Sequence, residues 1–295
     1  MSIRVSPSRK IFNVINWVFF LLLALCCIIP LWYVFIQSLS SNTSGKNFLV
    51  PDGFTLSNYA KVLKMGDVVH ATYISVARTL IGTAATVMAC MLLGYLFTRE
   101  DMPLRKLLYR ILIVTMYVSG GLIPTYLVYK AYGLLNSFWV FIIPGIVSAY
   151  YVILVKTFVE QLPKSVEESA MIDGANTLTI FGRIILPMSL PILATISVYA
   201  AVSQWNSWFD NHIYAITNKN IMTLQYMLYK YLNEAEKLAQ QMKETATGTF
   251  DMSDVLPSRS IRMTITMITV FPILFVYPFL QRYFIKGIMI GAVKG

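Results

Sequence analysis

Between two long apolar runs the chain reads Gln161-Leu162-Pro163-Lys164-Ser165-Val166-Glu167-Glu168-Ser169-Ala170-Met171-Ile172-Asp173-Gly174-Ala175, then continues through Phe181, Arg183, Ile184, Leu186 and Pro187 to Pro191. Ser165 and Glu168 have capping-box spacing directly after Pro163, so a short helix is expected to start at Ser165. Gly174 is placed to stop it in a left-handed cap. A second turn over Thr177 to Gly182 leads into the next apolar run at Pro187. The stretch predicts a short rigid helix lying across a membrane surface. Its small residues permit close approach to a partner, and its acidic residues offer contact points. A capped connector between two membrane helices is the plainer reading of the same residues.

Apolar runs recur outward from this stretch. A bilayer core takes about 20 mainly apolar residues per helix, and six runs qualify, over about 11–37, 71–98, 107–132, 137–160, 185–206 and 263–282. The chain therefore reads as an all-α polytopic membrane protein with six transmembrane helices. Composition agrees: of 295 residues, 57% are hydrophobic and 13% charged, with a mean hydropathy of +0.63. One soluble core could not hide that much apolar surface, which excludes an ordinary soluble enzyme and a disordered or fibrous chain. Arg4, Arg9 and Lys10 precede the first run, but that run is too long for a signal peptide and lacks a small-residue cleavage site. It is expected to stay as the first membrane helix.

The net charge of +10 comes from 24 Lys and Arg against 14 Asp and Glu. These charges sit in short loops between the runs, a membrane distribution that argues against a nucleic-acid partner. Arg4, Arg9, Lys10, Arg99, Arg105, Lys106, Arg110, Lys156, Lys164, Arg183, Arg282, Lys286 and Lys294 fall on one side, whereas the loop 133–136 on the other has none. By the positive-inside rule the termini and the 161–184 loop are cytoplasmic, and the 39–69 and 207–261 loops are extracellular. The first of these outer loops carries a turn at Pro51-Asp52-Gly53 and an amphipathic stretch from Leu56 to Leu63. The second contains a helical run from Thr223 to Gln241, with Tyr226, Tyr229 and Leu232 at helical spacing, and a polar return over 242–258.

Several absences narrow the function. No Asp or Glu lies inside the runs away from their ends, which argues against a proton-driven carrier. There is no inverted repeat between the halves. Gly45-Lys46 is followed by Asn47 and lacks the other residues of a phosphate loop, so the chain is expected to hydrolyse no nucleotide itself. Cys26, Cys27 and Cys90 lie inside apolar runs and read as small buried hydrophobes, and the two histidines, His70 and His212, have no cysteine near them, so no metal site is expected. The Asn42-Thr43-Ser44 sequon is read as chance.

The pattern Glu168-x-Ala170-x-x-Asp173-Gly174-Ala175, followed by Phe181, Ile184, Leu186-Pro187 and Pro191, resembles the EAA loop of ABC-importer permeases. Ser169 stands where that family usually has Ala, a departure that keeps a small residue. Gly120-Gly121-Leu122-Ile123-Pro124-Thr125-Tyr126, Trp205-Asn206-Ser207-Trp208, and the end from Tyr277-Pro278-Phe279 through Gln281-Arg282-Tyr283-Phe284 to Lys286-Gly287 are similar to the carbohydrate-uptake, maltose-importer-like class. Within it they look closest to the complex-polysaccharide or aldouronate permeases. The resemblance implies a type I importer fold and a non-enzymatic transport subunit in a bacterial inner or plasma membrane. It implies a sister permease, two ABC ATPase subunits that bind ATP and Mg, and an extracellular solute-binding protein that delivers oligosaccharide. The chain itself would hold no cofactor. Coupling to the ATPase would fall to Glu168, Ser169, Ala170, Asp173, Gly174 and Ala175.

Candidates for the substrate pathway are Arg78, Tyr117, Tyr126, Trp205, Asn206 and Trp208, because sugar sites combine aromatic faces with hydrogen-bonding groups. Aromatic residues at span ends are equally read as interface anchors. Arg78 lies about two turns into the second span, where a bare charge is costly. It either snorkels or hydrogen-bonds backbone, or it faces the pore and meets a uronate carboxylate. Gly120, Gly121 and Pro124 either permit close helix packing or break the third span. The basic tail is read as an anchor to anionic lipid or a contact with the ATPase. An ABC permease for peptides or amino acids, and a stand-alone secondary carrier, are the competing functions.

Overall fold

The computed structural model describes residues 7–41, 48–244 and 259–292. The expectations placed on Arg4, the Asn42-Thr43-Ser44 sequon, Gly45-Lys46-Asn47, residues 245–258 and Lys294 fall outside these, as do those on side chains from residue 276 onward. Regular structure among the described residues is helical, apart from one isolated bridge between Ser40 and Phe54.

In chain order the helices begin with α1 (Pro7–Ser38), α2 (Ser57–Lys64) and α3 (Gly66–Leu96). Both α1 and α3 are long and apolar enough to cross a bilayer. The 107–132 run divides into α4 (Arg105–Val114) and α5 (Leu122–Ala131). Gly121 at the break has φ +83, and a Cβ added at Gly120 would meet nothing within 4 Å. The glycines therefore serve the break and not close packing, because the backbone there takes a conformation that L side chains avoid. The 137–160 run is two 3₁₀ turns, Phe138–Phe141 and Ile143–Gly145, followed by α6 (Ala149–Val159) with a 45° bend. Pro144 in the second turn has no N–H to continue an α-helix.

After α6 come α7 (Lys164–Ile172), α8 (Thr177–Ile180), a π-helical segment Phe181–Ile185 and α9 (Leu186–Met188). The segment Thr177–Met188 meets α10 (Leu190–Asn206) at 82°. The 185–206 run is thus interrupted at Ser189, where Pro187 and Pro191 on either side remove backbone donors. The last helices are α11 (Phe209–Tyr214), α12 (Leu224–Glu244) and α13 (Arg259–Ala292).

The chain forms two compact units, Met1–Gly66 with Lys230–Val270, and Asp67–Tyr229 with Phe271–Gly295. In the first, α1 is exposed along nearly its whole length and buries only Ile36, Gln37 and Ser38 at its end. That exposure overturns the buried reading of Cys26 and Cys27: both lie on the exposed apolar surface of α1, and Cys90 alone is buried. The last carbonyls of α1 lack helical partners. Buried Asn58 of α2 supplies a partner for that of Ser38, its Nδ2 donating there at 3.0 Å and to the Ser40 carbonyl just beyond the helix at 2.9 Å. The intervening turn passes through Gly53 at φ +71.

The second unit is built around α3. Val87, Met91 and Tyr95 of α3 pack with Val155 and Val159 of α6, Ile196 of α10, and Ile180, Phe181 and Ile185 of the α8–α9 segment. This core is one continuous apolar body that joins the loop after α6 to the middle of the membrane helices.

Candidate coupling helix and polar cavity

The sequence-predicted coupling residues lie on α7 and its C-terminal turn. The helix begins at Lys164 with Pro163 as its N-cap residue, and no side chain caps it. The Ser165 capping box does not form. Pro163, with its fixed φ of −62, takes the cap position two residues earlier, so Ser165 sits inside the first turn and its carbonyl accepts from Ser169 Oγ at 2.8 Å. The other end follows expectation. Gly174 has φ +79, its N–H reaches the Met171 carbonyl at 3.0 Å, and the Ala175 N–H reaches that of Ala170 at 3.0 Å. These two bonds are the Schellman pattern. Asn176 then caps α8, its Oδ1 accepting from the Thr179 N–H at 2.8 Å.

The two faces of α7 differ. Ala170 and Ala175 are packed against the core of the second unit. Glu167 also points inward: its Oε1 accepts from Tyr95 Oη at 2.9 Å and pairs with Arg99 Nη1. Arg99 in turn holds Asp101 through Nε and Nη2 at 2.9 and 3.0 Å. The Asp101 carboxylate first, and Glu167 after it, hold the Arg99 guanidinium more firmly charged than usual. Arg99 likewise holds the Asp101 carboxyl below the ordinary carboxylate range. On the opposite side Glu168, Ser169, Asp173 and Gly174 are exposed, beside Ile172, which is 87% exposed. The pairing of Glu167 with Arg99 is not legible in the sequence, because 68 residues separate them, far beyond the reach of a helical repeat.

A second feature of the same unit is a cavity of about 380 Å³, lined among others by Arg78, Tyr129, Phe141, Ser148, Tyr151, Gln204, Asp210 and Tyr214. Arg78 is 3% exposed, so it does not snorkel. Its Nε donates to Gln204 Oε1 at 2.9 Å, and Nη1 donates to the Ser207 carbonyl at 3.2 Å and Asp210 Oδ1 at 3.0 Å. Nη2 pairs with Asp210 Oδ2, and the guanidinium carbon lies 4.7 Å from the centroid of the Phe141 ring. A buried guanidinium is tolerated because its donors are satisfied and its charge is matched. Asp210 accepts further from Ser207 Oγ at 3.0 Å and the Asn211 N–H at 2.9 Å.

Of the other pathway candidates, Tyr126 lies behind the cavity wall, stacked on Tyr214 at 6.2 Å. Tyr117 is 83% exposed in the break of the third run, Trp205 is buried, and Asn206 is exposed at the end of α10. Trp208 is stacked on Tyr229 at 3.9 Å. These five do not line the cavity. Tyr129, Tyr151, Tyr214, Gln204 and Asp210 do, although none of them stands in a local motif. The signal available was Arg78 itself, since a charge at that depth demands a carboxylate and Asp210 is the first one after the fifth run. The Tyr214 phenol is pushed up by burial and by the Asp210 charge, so it stays a neutral donor.

The family described as binding-protein-dependent transport system inner membrane component matches residues 90–290. The chain belongs to that family. It is 35% identical over 98% of its length to the whole of the polygalacturonan/rhamnogalacturonan transport system permease protein YtcP of Bacillus subtilis. It is 34% identical, again over 98%, to 97% of the protein LplC of the same organism. A crystal structure of a bacterial ABC transporter involved in the import of the acidic polysaccharide alginate contains a chain that superposes with a TM-score of 0.84. That match covers 95% of this chain and 99% of the other, at 27% identity. The protein is thus an ABC-importer permease of the type I fold, an inner-membrane transport component and not an enzyme. ATP hydrolysis belongs to a partner ATPase, and solute arrives on a binding protein.

Proposed function

We propose that this permease forms one half of the pore of an ATP-driven importer for oligosaccharide fragments of complex, acidic polysaccharides, working by alternating access. In this reading the chain crosses a bacterial cell membrane six times with both termini cytoplasmic, and α7 lies on the ATPase side. A sister permease completes the pore, two ATPase subunits drive it, and an extracellular binding protein supplies the sugar. The observation that carries this reading is α7, seated by Glu167, Ala170 and Ala175 and exposing Glu168, Ser169 and Asp173. Gly174 fixes where that surface ends.

The substrate class is supported by the relatives, whose names speak of polygalacturonan, rhamnogalacturonan and alginate. It is also supported by the cavity, where Tyr129, Tyr151, Tyr214 and Gln204 offer ring faces and hydrogen-bonding groups. Arg78 shapes this cavity with its charge already balanced by Asp210. A uronate in the pathway therefore meets hydroxyl and amide groups, not a free guanidinium.

A mild-detergent pull-down of the tagged permease from its native membrane, followed by mass spectrometry, tests the assembly. An ABC ATPase and a second permease are expected to co-purify. Deleting the gene is expected to abolish uptake of a partial pectin digest and to leave glucose uptake unchanged. Recovery of the chain alone, under conditions that keep other importers intact, would overturn the reading.

A further inference from the structure

We infer that Tyr95 and Arg99 are positioning residues for energy coupling: by seating Glu167 they join α7 to the end of α3, which delivers the movement of α7 to the cavity at Arg78. This rests on the importer reading above. The argument begins with the residue types. Tyr95 is fully buried at the end of α3, yet it carries a hydroxyl, and that hydroxyl is given to Glu167. Arg99 follows three residues after α3 and spreads its planar fork over Glu167 on one side and Asp101 on the other. Both Arg99 terminal nitrogens also lie within 3.9 Å of Met171 Sδ, one turn further along α7.

Hydrogen bonds to ionised partners are about twice as strong as neutral ones. Glu167 Oε1 receives two donors, from Tyr95 and Arg99, both anchored at the end of α3. A second ion pair crosses the same cleft, Lys164 to Glu100 at 3.7 Å, but both side chains are about 80% exposed, so it contributes little. The held contact is therefore the Glu167 contact. Glu167 and Glu168 are consecutive, about 100° apart around α7, the first held at the end of α3 and the second exposed to solvent. Force applied to the exposed face of α7 enters and leaves within a single turn.

The receiving element is suited to carrying it. Helix α3 runs 31 residues with no proline to hinge it. The 17 positions from Arg78 to Tyr95 span roughly 26 Å at the α-helical rise of about 1.5 Å per residue. At two positions along that length α3 lies in close contact with its neighbours. A Cβ added at Gly94 would lie 2.7 Å from Val155 Cβ, and one at Gly82 would lie 2.7 Å from Gln204 Nε2. Gln204 is the residue that accepts from Arg78 Nε. A shift of α3 thus reaches the Arg78–Asp210–Gln204 group directly, because close-packed elements switch between discrete arrangements and do not deform smoothly.

The test uses the complete importer in lipid nanodiscs, with the native cysteines replaced by Ser and a single cysteine at Ser203 on the cavity wall. Labelling of that cysteine by a hydrophilic maleimide is measured with and without ATP and vanadate. In the parent the rate is expected to change on trapping. With Glu167→Gln, Arg99→Ala or the milder Tyr95→Phe, that change is expected to shrink about fivefold or more, the range of allosteric couplings, while the ATPase subunits co-purify undiminished and basal hydrolysis persists. The exchanged pair Arg99→Glu with Glu167→Arg is expected to recover most of the change. A trapping response that survives all three single substitutions overturns the inference. So does loss of the ATPase subunits from Tyr95→Phe and Glu167→Gln alike, which would make the contact a structural staple. Failure of the parent to bring down any ATPase overturns the importer reading instead.

Discussion

Arg78 and Asp210 do not depend equally on each other. Arg78 is enclosed, with its charge balanced by one carboxylate, whereas the Asp210 side chain keeps 21% exposure and has donors from Ser207 and Asn211 besides. Removing the carboxylate leaves a buried cation uncompensated, at a cost of about 3–5 kcal/mol. Removing the guanidinium leaves an anion that water and two neighbours still satisfy. Asp210→Asn is therefore expected to lower the melting temperature of the purified permease clearly more than Arg78→Gln does; an equal or inverted order would contradict the asymmetry. Glycines of α3 provide a second comparison. Gly94→Ala meets Val155 and, at 3.2 Å, the Lys156 backbone nitrogen, whereas Gly82→Ala meets only the Gln204 side chain, which can swing away. Overpacking against fixed atoms costs about 1–3 kcal/mol, so Gly94→Ala is expected to be the more destabilising of the two in the same melting assay.

At the scale of the element, α7 is defined by its end more than by its start. Its N-terminus is set by Pro163, without the serine–glutamate box that the spacing suggested. Its C-terminus needs the left-handed residue at Gly174, where an added Cβ would meet nothing within 4 Å. The cost of a side chain there is conformational, about 1–2 kcal/mol for an L residue forced to positive φ. Gly174→Val is expected to leave membrane insertion and protein amount intact while the sugar transported per ATP hydrolysed falls severalfold in proteoliposomes. Normal transport by that variant would remove Gly174 from the coupling surface. The interrupted runs have local causes of the same kind: the positive φ of Gly121 between α4 and α5, Pro144 before α6, and the prolines flanking Ser189.

At the scale of the whole molecule, exposure of apolar surface tells where the chain expects cover. Helix α1 presents Trp17, Phe19, Phe20 and Leu22 outward, each more than half exposed, with Cys26 and Cys27 on the same helix. A patch that large on a protein in water would be an aggregation site; in a bilayer, lipid or another membrane helix covers it. In intact membranes a charged maleimide is expected to leave Cys26 and Cys27 unmodified. After solubilisation a lipophilic maleimide is expected to reach both, and Cys90 only after unfolding. Labelling of Cys26 and Cys27 by the charged reagent in sealed membranes would place α1 in water and overturn the assignment.

Much of this could be read along the chain because its causes are local. Apolar runs of membrane length, the left-handed stop at Gly174, the helical repeat of Thr223 to Gln241 and the break signal at Gly120-Gly121 all act over a few residues through steric and solvation effects. The EAA-type spacing led to the family for the same reason, since its defining positions lie within one loop. What lies between distant residues was decided only by the fold. Arg78 meets Asp210 across 132 positions, and Arg99 meets Glu167 across 68. Trp205, Asn206 and Trp208 have suitable chemistry, but the end of α10 and the connection to α11 keep them out of the cavity that Tyr129, Tyr151 and Tyr214 line. A residue's type states what bonds it can make, whereas its partner depends on which helices pack together. Packing is set by the summed burial of many side chains, so no short window of sequence contains it.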